Sequence, residues 1–374
     1  MKILLIGDAK ELYLLSFARY LKVADPSLEL HVLDTNPLKI PPQLNRDGIF
    51  TKIYSYEAPY PNLAGKLLRR WKRYRLQLSL KNTRFDRYIA FGMWVPVCYW
   101  LDTITLPEDK IIGMLLGSDF FKREQRPDKE RFDKMLRRMN ILATSNPAII
   151  ARLVAEQHEP ARLRQLQLGL APMEALAQWQ QQPATEAKAQ LGIDPSTLVI
   201  CCGYNASPNQ QHHALIQALQ TAKMLPPEHL LLVPLSYGGT AAYKKAVTDA
   251  LLASGLRYRI IDEYLSPEAI ARVWKALDVF IQLQQSDCFS GSMMENLYCG
   301  NIVITGSWLP YQVLKDRGTR FFEVDKIADL GAKLDELLPQ RETLKHELKA
   351  NADKFEDSFW NKNIQHWVEL INKL

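Results

Sequence analysis

Two acids bracket a run of small residues late in the chain. Asp287 and Glu295 stand eight positions apart, and Ser290, Gly291, Ser292 and Met293 lie between them. An apolar stretch ends at Gln284 just before, and Gly300 followed by Asn-Ile-Val-Ile comes just after. This order spells a strand, a polar loop, a helix opening near Ser292 and a second buried strand. A loop of small residues feeding a helix leaves backbone N–H groups unpaired beside the positive end of the helix dipole. Such a place suits an anion, a diphosphate included. Glu295, one turn in, can accept hydrogen bonds from ribose hydroxyls if it faces the same opening. In a plain strand–loop–helix it is merely solvated.

A third acid, Asp119, follows the apolar run KIIGMLLG (110–117). Just past a strand's carboxyl end it can serve as a general base on a hydroxyl, hold a sugar hydroxyl, or cap the next helix. Gly7 and Asp8, after the first apolar run, approach the same edge. The first turn lacks G-x-G-x-x-G, which argues against a dinucleotide-dependent reductase, and the chain has no P-loop, no G-x-S-x-G elbow and no D-x-D. No metal and no other cofactor is expected. The five cysteines, Cys98, Cys201, Cys202, Cys288 and Cys299, form no C-x-x-C pair and read as reduced, buried thiols.

The elements that must position these residues repeat a simple alternation. KILLIG, then a helical pattern through Leu12, Leu15, Phe17 and Tyr20, then LELHVLD, opens the chain as strand–helix–strand. Strands are expected at 87–93, 110–117 and 141–145. A Gln- and Ala-rich stretch, 171–189, reads as a surface connection. A second strand series follows at TLVICC, 230–238, 257–264, 277–283, 301–306 and 320–324. Strands alternating with helices imply parallel sheets covered on both faces. The 374 residues therefore divide into two α/β domains, 1–170 and 190–345, with an amphipathic helix in 347–374 packing back on the first. Ligands in such folds sit at the carboxyl ends of the strands.

Charge is uneven. The net charge is +6, yet residues 66–87 alone hold nine Lys or Arg against one Asp. Leu67, Leu68, Trp71, Tyr74 and Leu78 recur there at helical spacing with Arg69, Arg70, Lys72 and Arg73 between them. A basic amphipathic helix with Trp and Tyr at its boundary suits an anionic membrane surface. The same stripe in a packed helix is core. No recognition motif accompanies the charge, so nucleic acid is not expected as a partner. No apolar run reaches the roughly 20 residues that span a bilayer, and the start lacks the features of a signal peptide. The expected location is the cytoplasm.

The segment 287–295 resembles the E-x7-E signature of glycosyltransferase family four, with Asp in the first acid's place, and Leu-Tyr-Cys-Gly-Asn-Ile-Val-Ile is similar to that family's helix end and next strand. CCGYNASPNQQHHALIQAL (201–219) is similar to the glycine turn and helix that open the family's C-terminal domain. LLLVPLSYGGTAAYKKAV (230–247) resembles the matching strand and loop of the lipid-linked acetamido-fucose transferase group. The resemblance implies GT-B architecture, two facing Rossmann-like domains with the C-terminal helix crossing back to the first. It implies transfer of a sugar from a nucleotide-sugar donor to a saccharide acceptor, lipid-linked, at the cytoplasmic face of a bacterial membrane during surface polysaccharide assembly. By resemblance, Glu295 meets the donor ribose, Ser290, Gly291, Ser292 and Met293 the diphosphate, and Asp287 the donor sugar. Gly203, Tyr204, Asn205, Ser236 and Tyr237 complete the donor site, and Asp119 is the N-terminal catalytic candidate. One departure stands out. The family places Arg and Lys in the glycine turn and its helix, whereas Tyr204 to His213 contains neither, so Lys244 or Lys245 are the candidates for the diphosphate's charge. Retaining and inverting outcomes both stay open. So do a nucleotide-sugar epimerase and a non-catalytic nucleotide-sugar binder on the same scaffold.

Overall fold

The computed structural model describes residues 1–36, 48–55, 63–287 and 290–374. The chain divides into two compact units, Met1–Gly169 with Ser358–Leu374, and Leu170–Asp357.

The first unit is built on a parallel sheet of β1 (Lys2–Gly7), β2 (Glu29–Asp34), β3 (Lys52–Tyr54), β4 (Arg87–Phe91), β5 (Ile111–Leu115), β6 (Ile141–Thr144) and β7 (Leu163–Gln165), in the order β3-β2-β1-β4-β5-β6-β7. Its strands are continuously apolar because both faces are covered. Side-chain alternation then divides one apolar run between two cores. Leu4 and Ile6 join one cluster, Ile3 and Leu5 the other. The terminal helix Trp360–Lys373 completes the second cluster against the helix Leu12–Ala24. Trp360 and Trp367 are fully buried there, their rings 6.1 Å and 5.2 Å from that of Phe17, and the Trp367 indole donates to the Gln167 carbonyl at 2.9 Å.

The second unit carries β8 (Val199–Cys202), β9 (Leu230–Pro234), β10 (Tyr258–Ile261), β11 (Val279–Gln282), β12 (Ile302–Gly306) and β13 (Phe322–Val324), in the order β10-β9-β8-β11-β12-β13. It too is parallel throughout. In both sheets the order reverses direction at a first strand, between β1 and β4 and between β8 and β11. That reversal opens a crevice outside the carboxyl ends.

The stretch expected to be a surface connection instead folds. Helices Met173–Trp179 and Ala184–Gln190 belong to the second unit and pack on the helix Pro267–Ala276. Met173, Leu176 and Ala187 are buried, and Lys188 is sunk beside Asp278, its Nζ 2.8 Å from the carboxylate. A few apolar positions in a Gln- and Ala-rich background are enough to dock two helices against a third. The proline-containing segment after Asn36, and Cys288, lie outside the described residues. The other four cysteines are free thiols, three of them buried. Among the described residues no helix is long and apolar enough to cross a membrane.

Candidate functional site

The carboxyl edge of the second sheet gathers most of the residues singled out in the sequence. The helix Gly291–Tyr298 starts there, with Ser290 as its N-cap and no side chain capping its first N–H groups. The Ser292 carbonyl accepts from Asn296 Nδ2 at 2.9 Å, and the Met293 side chain is fully buried. Met293 can therefore offer a ligand its backbone alone. The first turn presents small residues and polar backbone, the arrangement that receives an anion.

Asp287 folds back on its own loop. Its Oδ2 accepts from the Ser290 backbone N–H at 2.9 Å, from Gln282 Nε2 at 3.2 Å, and from the Tyr311 hydroxyl. It thus ties the loop to the end of β11 and to Tyr311. Glu295 is 6% exposed, and its Oε2 accepts from the Trp274 indole at 2.7 Å. Burial pushes its carboxyl up to about 7, against the opposing pull of that bond. A buried carboxyl held near neutrality can exchange its proton on meeting a polar ligand. It lies within electrostatic reach of Tyr237.

A second wall comes from the turn after β8. Gly203 adopts φ +69° and its N–H bonds the Ile281 carbonyl at 2.9 Å. A side chain there would sit 2.6 Å from Gln210 Oε1, so both conformation and space call for glycine. The Ala206 N–H bonds the Tyr237 carbonyl at 2.6 Å, and Asn205 Oδ1 accepts from the Ser207 N–H at 2.8 Å. Tyr204 is half-buried, and burial raises its hydroxyl pKa, with the charge of Asp287 adding to the effect.

Sequence reasoning saw that this turn lacks Arg and Lys and missed what replaces them. Asn209 Nδ2 donates to Gln284 Oε1 at 3.1 Å and to the Ser286 carbonyl at 2.8 Å. Gln210 Nε2 donates to the same Gln284 oxygen at 2.9 Å, and Gln211 Nε2 to the Leu283 carbonyl at 2.8 Å. Three consecutive amides thus lash the loop after β11 to the turn after β8. Trp274, Tyr311, Gln282 and Gln284 were likewise unforeseen. Tyr264, whose ring lies 5.9 Å from that of the half-exposed Tyr237, was another omission.

The lysines part company. Lys244 Nζ reaches the Ser236 carbonyl at 3.2 Å, at the carboxyl end of β9. Lys245 points along its helix to Asp249 at 2.7 Å, with its side chain 75% exposed. His212 is buried with Nδ1 3.1 Å from the Tyr243 hydroxyl, and burial lowers its pKa to about 4.

In the first unit, Asp119 lies just past the carboxyl end of β5. It is 1% exposed, and its carboxylate accepts backbone N–H groups of Met93 at 2.8 Å, Leu116 at 3.0 Å, Gly117 at 2.8 Å and Phe120 at 3.0 Å. Those bonds engage both oxygens, so the group staples two loops. Nearer the crevice, Asp8 accepts from Asn36 Nδ2 at 2.7 Å, and Glu11 caps the helix Leu12–Ala24 through the Leu14 N–H at 3.3 Å. Burial raises the Glu11 carboxyl to about 7.

The basic helix spans Leu63–Lys81. Among its described side chains the buried ones are Leu76 and Leu80, whereas Leu67, Trp71, Tyr74 and Leu78 are 64%, 53%, 58% and 43% exposed. The apolar stripe is thus outside the core. Arg70 is exposed, Lys72 is partly so, and the Arg69 side chain lies outside the described residues. Arg73 departs from its expected outward role: Nη1 donates to the Tyr99 hydroxyl at 2.8 Å, and the guanidinium lies 4.7 Å over that ring.

The chain matches no protein-family model and no curated protein. It does resemble solved structures. HepE from Anabaena, in complex with UDP-glucose, superposes with a TM-score of 0.74 over 100% of both chains at 13% identity. Sucrose-phosphate synthase from Thermosynechococcus elongatus gives 0.73 over 100% of this chain and 98% of its own at 14% identity. WaaG, a glycosyltransferase involved in lipopolysaccharide biosynthesis, gives 0.69 over 99% of each chain at 14% identity. The two parallel sheets and this full-length likeness establish an α/β fold of the two-domain GT-B kind.

Proposed function

We propose that the chain is a glycosyltransferase that moves a sugar from a nucleotide-sugar to a saccharide acceptor, without a metal or organic cofactor. The observation that carries this is Glu295, a buried carboxyl near neutrality at the mouth of an uncapped helix, on the carboxyl edge of a GT-B sheet. In this reading Glu295 accepts from the ribose hydroxyls. The N–H groups of Gly291, Ser292 and Met293 receive the diphosphate, and Lys244 supplies the positive charge that the glycine turn lacks. Departure of a nucleoside diphosphate develops negative charge, and preorganised donors stabilise it. Asp287 holds the loop in place beside the donor sugar, and Tyr237 with Tyr264 offers ring faces to the base. The solved complex of HepE with UDP-glucose supports a nucleotide-sugar as the ligand class.

The acceptor is lipid-linked, at the inner face of a bacterial membrane, and the product enters a surface polysaccharide. What supports this is the solvent-exposed Leu, Trp and Tyr stripe on a helix rich in Arg and Lys. Rings and apolar side chains enter the headgroup layer while the cations meet anionic lipid.

The deciding experiment is a thermal-shift screen with UDP, GDP, TDP and CMP, followed by calorimetry of the best ligand. Stabilisation by one nucleotide, with at least tenfold weaker binding in Glu295→Ala, is the expected result. No stabilisation by any nucleotide overturns the reading.

A further inference from the structure

A cavity of about 250 Å³ opens in the first unit and is lined by Thr35, Arg73, Val95, Tyr99, Trp100 and Arg131. It is smaller than the ~300–1,000 Å³ that takes a whole drug-sized ligand, so it suits one chemical group. Thr35 directly follows β2, and Val95 opens the helix Val95–Thr103 that follows β4. The cavity therefore lies at the carboxyl edge, beside the reversal of strand order between β1 and β4.

Its charge has one sign. Of its lining residues only Arg73 and Arg131 are charged, and no carboxylate is among them. Both guanidiniums are set against one ring, with Arg73 4.7 Å and Arg131 5.6 Å from the Tyr99 centroid. Cation–π attraction to that ring holds both cations near it in advance of any ligand. Arg131 engages Asp102 through Nε at 3.3 Å, and Lys134 claims the other oxygen of that carboxylate at 2.7 Å. Asp102 is thereby shared between two cations, and the Nη groups of Arg131 bond nothing among the described residues. The first turn of the helix Val95–Thr103, which has no side-chain cap, adds its positive end. Trp100 gives the cavity an apolar wall, against which a sugar ring can lie.

The geometry points to an oxyanion subsite of the acceptor: a phosphate group carried on a saccharide, clasped by Arg73 and Arg131 with the attached sugar on Trp100. This deepens the glycosyltransferase reading by naming the acceptor's chemistry, and it rests on that reading. Arg73 sits on the helix whose other face bears the exposed stripe, so the phosphate could come from a soluble sugar phosphate or from a lipid headgroup. The subsite is assigned to the saccharide's phosphate.

The test uses the full chain saturated with its best nucleotide diphosphate, which fills the other phosphate-binding edge. Glucose 1-phosphate is then titrated calorimetrically, with glucose and inorganic phosphate as controls. Wild type should bind the sugar phosphate, and Arg131→Gln and Arg73→Gln should each weaken it at least about tenfold. Arg131→Lys, which keeps the charge and loses the planar fork, should fall between them. All three variants should keep wild-type nucleotide affinity, which shows that they fold. In a second arm, Arg131→Gln should sediment with phosphatidylglycerol vesicles as wild type does. Unchanged sugar-phosphate affinity in all three variants overturns the proposal. So does lost vesicle binding with sugar-phosphate affinity retained, which would mark a headgroup site. Absence of nucleotide binding in wild type is a separate outcome, and it sinks the donor reading first.

Discussion

Replacing Glu295 with glutamine should make the second unit more stable at alkaline pH and a poorer nucleotide binder. The carboxyl titrates at 4.5 in the unfolded chain and at about 7 in the folded one. Between those values the folded state holds a proton that the unfolded state has released, so stability falls as pH rises. Each pH unit in that window costs ~1.4 kcal/mol, which brings the total to ~3 kcal/mol by pH 8. Below 4.5 both states are protonated and the cost vanishes. Glutamine keeps an oxygen for the Trp274 indole and carries no proton to lose. The stability difference between the two chains should therefore be constant below pH 4.5, grow steadily to about pH 7 and level off above it. Glu11, also raised to about 7, is common to both and cancels. Amide exchange at Phe280 and Ile281, central in the sheet, reads the opening free energy of this unit by itself. Nucleotide binding moves oppositely. Ribose hydroxyls donate to the ionised form, so wild-type affinity should climb up to tenfold per pH unit as pH approaches 7. The Glu295→Gln chain should show only the nucleotide's own phosphate titration. A stability difference independent of pH, or parallel affinity profiles, would refute the reasoning.

Three further outcomes are expected. Gly203→Ala forces a side chain onto a left-handed residue and into Gln210 Oε1, and should lower unit stability by about 1–3 kcal/mol and weaken nucleotide binding, read by melting and calorimetry. An unchanged melting point would show that the turn relaxes freely. Asp119→Asn keeps one acceptor oxygen where the carboxylate served four N–H groups, and should cost on the order of 2 kcal/mol while leaving kcat at low temperature within about threefold of wild type. A loss of 10³ or more in kcat with the melting point intact would mark it as a base. Leu67→Ser with Trp71→Ser removes exposed apolar surface, so sedimentation with phosphatidylglycerol vesicles should fall severalfold at an unchanged melting point; equal sedimentation would remove the membrane role.

The strands that carry the site announce themselves because a parallel strand covered on both faces must be apolar at every position. KILLIG and NIVITG could hardly be anything else. The edge strands β3 and β7 are three residues each and leave no such trace. The connection at 171–189 was misread because composition hid Met173, Leu176 and Ala187. In the site, the spacing of Asp287, Ser290 and Glu295 was legible since one loop and one turn of helix set it. Trp274 beneath Glu295 was not, because 21 positions and a β-strand separate donor from acceptor. Asp119 shows a different limit: a loop staple and a general base share the same residue type at the same strand end, and the four converging N–H groups come from two loops that no local pattern brings together.

The amide frame is where the local and the long-range readings meet. Asn209, Gln210 and Gln211 stand where a positively charged pair was expected, and each reaches across more than 70 positions to the loop after β11. Neutral amides can fix where the backbone N–H groups of Gly291 to Met293 point. They cannot neutralise two negative charges, since a dipole's field dies faster with distance than a cation's. In the proposed reading that charge comes from the helix start and from Lys244, which already leans on the Ser236 carbonyl at the same edge. Such a site invests in preorganisation what it lacks in charge. Its affinity for a nucleoside diphosphate should accordingly depend less on ionic strength than that of a site built on Arg and Lys, because screening acts on separated charges and hardly on buried amide contacts.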